Sequence, residues 1–122
     1  DDRSKLKKST TLSNLKNSQQ FTLNIEVKSK ALAMIDSAVL EAKWVMPSDA
    51  KLNKEVIFST NGTKYTTGNF FQFIVDKQKV RKVTSLEDYI GQLYNQYEER
   101  RIFDEELKNI EADNYDYKMV LD

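Results

Sequence analysis

The apolar positions change their period along this chain, and each change marks an expected element. From Ile25 to Trp44 they fall three and four residues apart, at Val27, Ala31, Met34, Ile35, Ala38, Val39, Ala42 and Trp44. That spacing predicts an amphipathic helix. Asp36-Ser37 is expected to split it into two pieces, because both short side chains compete for the backbone. From Val56 the helical spacing gives way to two β-prone runs around Asn61-Gly62. A two-residue Asn-Gly loop predicts a tight hairpin, since both turn positions need positive φ. Thr66 or Thr67 then caps a helix carrying Phe70, Phe71, Ile74 and Val75.

A charged loop is expected from Lys77 to Thr84. Ser85 follows as an N-cap, with Asp88 three residues on. The longest helix starts there and reaches Ile110. Its apolar side is Tyr89, Ile90, Leu93, Tyr94, Tyr97, Ile102, Phe103, Leu107 and Ile110. Glu98 with Arg101 and Asp104 with Lys108 offer ion pairs along it. An interruption is expected at Ala112 to Asn114, before a short terminal helix holding Tyr117, Met119, Val120 and Leu121.

The N-terminal part is thinner. Leu6, Leu12 and Leu15 give a weak helical stripe within residues 1–20 that needs a neighbour to hold it. Phe21, Leu23 and Ile25 alternate, which suits either a strand or an extended lead-in to the next helix. The lead-in is favoured, with Asn24 as N-cap. Pro47 to Asn53 reads as a linker. The expected organisation is an N-terminal helical segment, 1–50, and a hairpin-plus-helices module, 51–122, packed as one compact unit of a larger protein. The fold class is α+β and mostly α-helical.

Composition narrows the chemistry. The 122 residues hold 19 Lys plus Arg and 19 Asp plus Glu, so no global field favours nucleic acid. Two basic clusters, Arg3 to Lys8 and Lys77 to Lys82, read as solvated surface. There is no His and no Cys, which removes imidazole bases, thiol nucleophiles, disulfides and His/Cys zinc sites. No cofactor is expected. No apolar run approaches the roughly 20 residues that span a bilayer. Glu98, Glu99, Asp104, Glu105, Glu106 and Glu111 read as a solvated helix face rather than a paired-carboxylate site. Asp113, Asp116 and Asp122 lack the glycine and terminal Glu of a calcium loop. Gly62, Gly68 and Gly91 form no phosphate loop. Without a His partner, the serines leave only a Ser–Lys dyad as an open enzymatic alternative.

The aromatics are dense: Tyr65, Phe70, Phe71, Phe73, Tyr89, Tyr94 and Tyr97. They either build the core between hairpin and helices or leave part of themselves as a contact patch. Successive helical residues sit about 100° apart, so Phe70, Phe71 and Phe73 are not all expected to point inward. Trp44 reads as a core plug. Tyr65, Phe70, Phe73, Tyr94 and Tyr97 are the candidate peptide-contacting residues.

Three stretches carry a family resemblance. Asp36-Ser37 followed by Lys43-Trp44, the run KYTTGNFFQFI (64–74), and LYNQYEERRIFDEEL (93–107) leading to YDYKMVLD resemble the chaperone region of SurA-like proteins. Those periplasmic proteins accompany parvulin-type peptidyl-prolyl isomerases, and the nearer pattern is that of the large parvulins of Bacteroidetes-like bacteria. The resemblance covers most of residues 30–122. It implies a non-catalytic part of an exported folding factor, with its export signal outside this chain and unfolded polypeptides or adjacent domains as partners. The parvulin catalytic domain would bring His residues, paired glycines and a Cys or Asp. The first two are missing here, and no catalytic residue carries over. A structural spacer with no ligand of its own is the alternative.

Overall fold

The computed structural model describes the backbone of residues 11–121 and the side chains of residues 11–112. Expectations for the Arg3–Lys8 cluster, Leu6, and the side chains from Asp113 to Asp122 lie outside the described residues. The chain begins with helix α1 over 11–18. Strand β1 (Thr22–Leu23), helix α2 (Ile25–Ala33), a 3-10 turn (Ser37–Glu41) and a short helix α3 (Ala50–Lys54) follow. Then come β2 (Val56–Thr60), β3 (Thr63–Thr66), α4 (Thr67–Lys77) and α5 (Leu86–Leu121). The fold is α+β and mostly helical, with a three-stranded antiparallel sheet in the order β1-β2-β3.

The hairpin forms where its turn chemistry directs it. Asn61 and Gly62 have φ of 55° and 78°, and Thr60 pairs with Thr63 across them. Gly62 avoids the Cβ cost of that left-handed backbone, and Asn is among the residues that best tolerate it. Further down the pair, two residues of β2 are spanned against one of β3: Val56 faces Thr66, and Phe58 faces Tyr65. The extra residue is a bulge. It lets the successive residues Ile57 and Phe58 both be buried, at 0% and 1% exposure.

The caps are also local. Thr66 and Asn69 close a reciprocal capping box at the start of α4. Asn24 accepts from the Val27 N–H at α2, and Asp36 and Asp49 do the same for the 3-10 turn and α3. The Ser85 hydroxyl accepts from the Asp88 N–H, 3.2 Å away, at α5. Asp36 splits the Ile25–Trp44 stretch as expected, and residues after Glu41 are irregular rather than helical.

Three expectations need correction. The lead-in at Phe21–Leu23 is a strand: Thr22 and Leu23 pair with Ser59 and Phe58, so the hairpin gains a third strand. Part of the stretch read as a linker is a helix, because Asp49 caps Ala50–Lys54. The interruption at Ala112 to Asn114 does not occur, and α5 runs unbroken to Leu121. Asp and Asn are weak helix formers, but residues 112–114 carry no Gly or Pro to stop the helix.

One core joins these elements. Val27, Ala31, Ile35, Val39 and Trp44 from the N-terminal part cluster with Ile57, Phe58, Phe70, Phe71, Ile74 and the inward face of α5. Trp44 is the plug its apolar surroundings suggest. Its ring packs edge-on to Phe71 at 5.3 Å, and its indole N–H donates to the Met34 carbonyl at 3.0 Å. The Gln78 side chain binds both backbone groups of Trp44, at 2.9 Å each, which ties the α4–α5 loop to this corner.

The helical glycines test this packing. A Cβ at Gly91 meets nothing within 4 Å, whereas one at Gly68 meets the Asn53 carbonyl oxygen at 3.0 Å. Gly91→Ala should raise stability by about 0.5–1 kcal/mol through helix propensity. Gly68→Ala should lower it, because α3 backbone must move. Urea denaturation followed by the fluorescence of the single Trp reads both.

Candidate functional site

Two polar and aromatic assemblies lie where the hairpin meets α5. The first is at the turn. Glu105, only 1% exposed, accepts hydrogen bonds from the Asn61 side chain at 3.2 Å and the Thr63 hydroxyl at 3.0 Å. It also accepts a short hydrogen bond from the Tyr65 hydroxyl and an ion pair from Lys108 Nζ at 2.9 Å. Beside it, buried Gln19 bridges three elements. Its amide N–H donates to the Ile102 carbonyl at 3.0 Å, its amide oxygen accepts from the Thr60 hydroxyl at 2.7 Å, and its backbone carbonyl accepts from the Asn61 N–H at 2.7 Å.

Burial alone would raise the Glu105 pKa. The hydrogen bonds from Lys108, Tyr65, Asn61 and Thr63 outweigh it and hold the carboxyl at about 2. The Tyr65 phenol is pushed up, first by desolvation and then by its bond to Glu105. Tyr94 is pushed up in the same way by burial and Glu98, and burial takes Tyr97 to about 12. None of these groups is poised to exchange a proton near neutrality.

Glu105 therefore corrects the solvated-face expectation, and Glu98 does so in part. Glu98 accepts from the Tyr94 hydroxyl at 2.7 Å and pairs with Lys16 at 2.9 Å. The expected helical pairs also re-partner. Asp104 pairs with Arg101 at 2.9 Å and Arg100 at 3.3 Å, while Lys108 goes to Glu105. Glu98 and Glu105 lie on the side of α5 that meets α1 and the hairpin turn, which periodicity along α5 alone could not reveal. Gln19 was not singled out either; its place before an alternating apolar run was its only signal.

The second assembly is a surface groove of about 540 Å³ between β3, α4 and α5. Its aromatic wall is Tyr65, Phe73 and Tyr97, and its rim includes Lys64, Lys77 and Arg101. Phe73 lies 5.1 Å from Tyr97, and Tyr65 meets Tyr97 edge-on at 6.5 Å. The groove thus collects three of the five candidate contact residues. Tyr65 and Phe73 are half-buried, with surface left to offer. Tyr97, Phe70 and Tyr94 are 2%, 0% and 1% exposed, and they serve as core. Phe70 packs against Tyr94 at 5.5 Å and Tyr97 at 5.4 Å, which leaves neither Phe70 nor Tyr94 a face for a peptide.

Strand β3 borders the groove and pairs only with β2 in the sheet order. Its open edge is short, and the Thr66 N–H is already taken by Asn69. Side-chain contact, more than added strand pairing, is what this groove can supply. Among the described residues no cluster of three His, Cys, Asp or Glu could hold a metal ion, and no helix is long and apolar enough to cross a membrane. Comparison with protein-family models, curated proteins and solved structures finds no match.

Replacing Glu105 by Gln leaves four donors facing a weaker acceptor. The change should cost about 2 kcal/mol, seen as a lower urea midpoint. The pH response has a definite sign. Glu105 is bound more tightly ionised than in the unfolded chain, where its pKa is near the ordinary 4.5. Its contribution is fully present above that value and is lost as pH falls toward about 2. The wild type should lose stability between those limits more steeply than Glu105→Gln.

Proposed function

We propose that this chain is a non-catalytic contact module that holds an extended polypeptide, or an adjacent domain of its own protein, in the groove between β3, α4 and α5. The supporting observation is the placement of Tyr65 and Phe73, partly buried over a fully packed Tyr97 base. A contiguous apolar surface with a polar rim is one mark of a contact surface. The resemblance to the chaperone region of periplasmic parvulin-type isomerases points the same way, toward weak and sequence-tolerant holding of folding clients. A groove this small covers only a fraction of a standard interface. Its binding should fall near about 10 µM to 1 mM once ordering costs are met.

A spacer or docking role is the second reading. It is favoured by the burial of Phe70, Tyr94 and Tyr97, which are spent on holding the elements together. The two readings part on one measurement. Unfolded outer-membrane-protein peptides, titrated into the labelled chain, should shift the amide resonances of residues 63–65 and 72–77 saturably. Phe73→Ala should weaken that binding about tenfold. The lost core contact should lower stability in urea by about 1–2 kcal/mol, with the fold kept. No saturable shift at millimolar peptide would reject polypeptide holding and leave the spacer. A prolyl-isomerisation assay on this chain should show no acceleration.

A further inference from the structure

The groove carries a charge imbalance that the chain as a whole does not. Lys64, Lys77 and Arg101 line it, against the single carboxylate of Asp76, although Lys plus Arg and Asp plus Glu balance at 19 each overall. Asp76 is partly engaged, since its Oδ1 accepts from the Gln72 amide at 2.9 Å. Among the described residues neither Lys64 nor Lys77 has a carboxylate in ion-pair range. Lys77 Nζ lies 6.0 Å from the Phe73 ring, and the Arg101 guanidinium lies 5.4 Å from the Tyr97 ring. Both cations are thus positioned at the aromatic wall. Arg101 gives one arm to Asp104 at 2.9 Å, but its Nε is buried without a hydrogen-bond partner. A guanidinium offers five N–H donors; the buried Nε–H is out of a ligand's reach, and it is the terminal N–H groups not given to Asp104 that remain for one. The buried Glu105 does not cancel this excess, because Lys108 and three neutral donors already meet its charge.

We propose that the groove selects extended polypeptide segments in which carboxylates flank an apolar or aromatic side chain. This rests on the polypeptide-holding reading above and adds a chemical preference to it. The apolar residue sits against Phe73 and Tyr65. The flanking carboxylates reach the Lys64 and Lys77 ammonium groups and the free guanidinium donors of Arg101. A basic segment meets a local excess of positive charge there, only partly offset by Asp76 and by the Asp104 partner of Arg101. It is disfavoured, so attraction and repulsion both sharpen the choice. A single-stranded nucleic acid also carries anions and stacking faces. It is the weaker candidate, because Asp76 lies in the groove and the chain has no net positive charge to gather phosphates.

Two labelled peptides with the same Leu-Phe-Val centre, one flanked by Glu and one by Lys, test this by fluorescence anisotropy on the full chain. At about 50 mM salt the Glu-flanked peptide should bind about tenfold more tightly, and the gap should close near about 1 M salt, where screening acts over about 3 Å. A Lys64→Glu, Lys77→Glu variant should reverse the order. Both positions are exposed, so its urea midpoint should fall only slightly, by the cost of reversing the Lys77 charge in the last turn of α4. Equal affinities that are both lost in Phe73→Ala would overturn the charge preference and leave the holding reading standing. Binding of neither peptide would overturn both. Displacement of the Glu-flanked peptide by polyuridylate at lower concentration than by unlabelled peptide would overturn the preference in favour of nucleic acid.

Discussion

The structure depends on Tyr97. Its ring meets Phe58 from β2 at 6.0 Å, Tyr65 from β3 at 6.5 Å, and Phe70 and Phe73 from α4 at 5.4 and 5.1 Å. Three secondary-structure layers therefore share one side chain. This matters because the sheet cannot stand alone: β1 is two residues long and β3 is four. Strands this short gain too little from their ladders and must bury a face against something. The Phe58–Tyr65 pair provides that face, stacked at 5.1 Å, and Tyr97 covers it. Edge-on and tilted ring contacts of this kind add specific geometry to the area they bury.

Ring contacts orient the hairpin on α5 but do not carry the donor–acceptor pairing that selects one register. The Glu105 and Gln19 bonds do. A buried carboxylate is tolerable only where its lone pairs are met. A shift of the turn by one residue would strand Asn61, Thr63 and Tyr65 away from Glu105 together. The same bonds fix the Tyr65 ring by its hydroxyl, so the aromatic wall of the groove is held from behind by polar contacts.

The sequence showed the local parts of this arrangement clearly and the long-range parts poorly. Asn61-Gly62, the Thr66 cap, the Ser85 cap and the break at Asp36 each rest on chemistry within four residues, and all four were legible. The angular argument also held: Phe70 and Phe71 point inward, and Phe73 sits on the flank. Strand β1 was legible only as one of two alternatives: the alternation of Phe21, Leu23 and Ile25 suits a strand or a lead-in, and pairing with Phe58 and Ser59 is what decides it. Glu105 was not legible. On α5 it looks like its acidic neighbours, and only the approach of a turn more than 40 residues earlier in the chain sets it apart. The five aromatic candidates were dense enough in sequence to be noticed, but density could not divide wall from core.

That division bears on function. Phe70 and Tyr94 are needed to close the core, so their presence says nothing about partners. Phe73 is different. The helix already buries Phe70, Phe71 and Ile74 completely, and a polar residue at 73 would leave that inward face intact. A partly buried aromatic packs against the core and Tyr97 but leaves part of its ring in water. Its surplus apolar surface recovers free energy only when something else covers it. Lys64 and Lys77 stabilise no described ion pair, although Lys77 also suits the C-terminal end of α4. Phe73, Lys64 and Lys77 are thus gathered in one groove over a packed base, with part of their surface and charge left unmatched within the described fold.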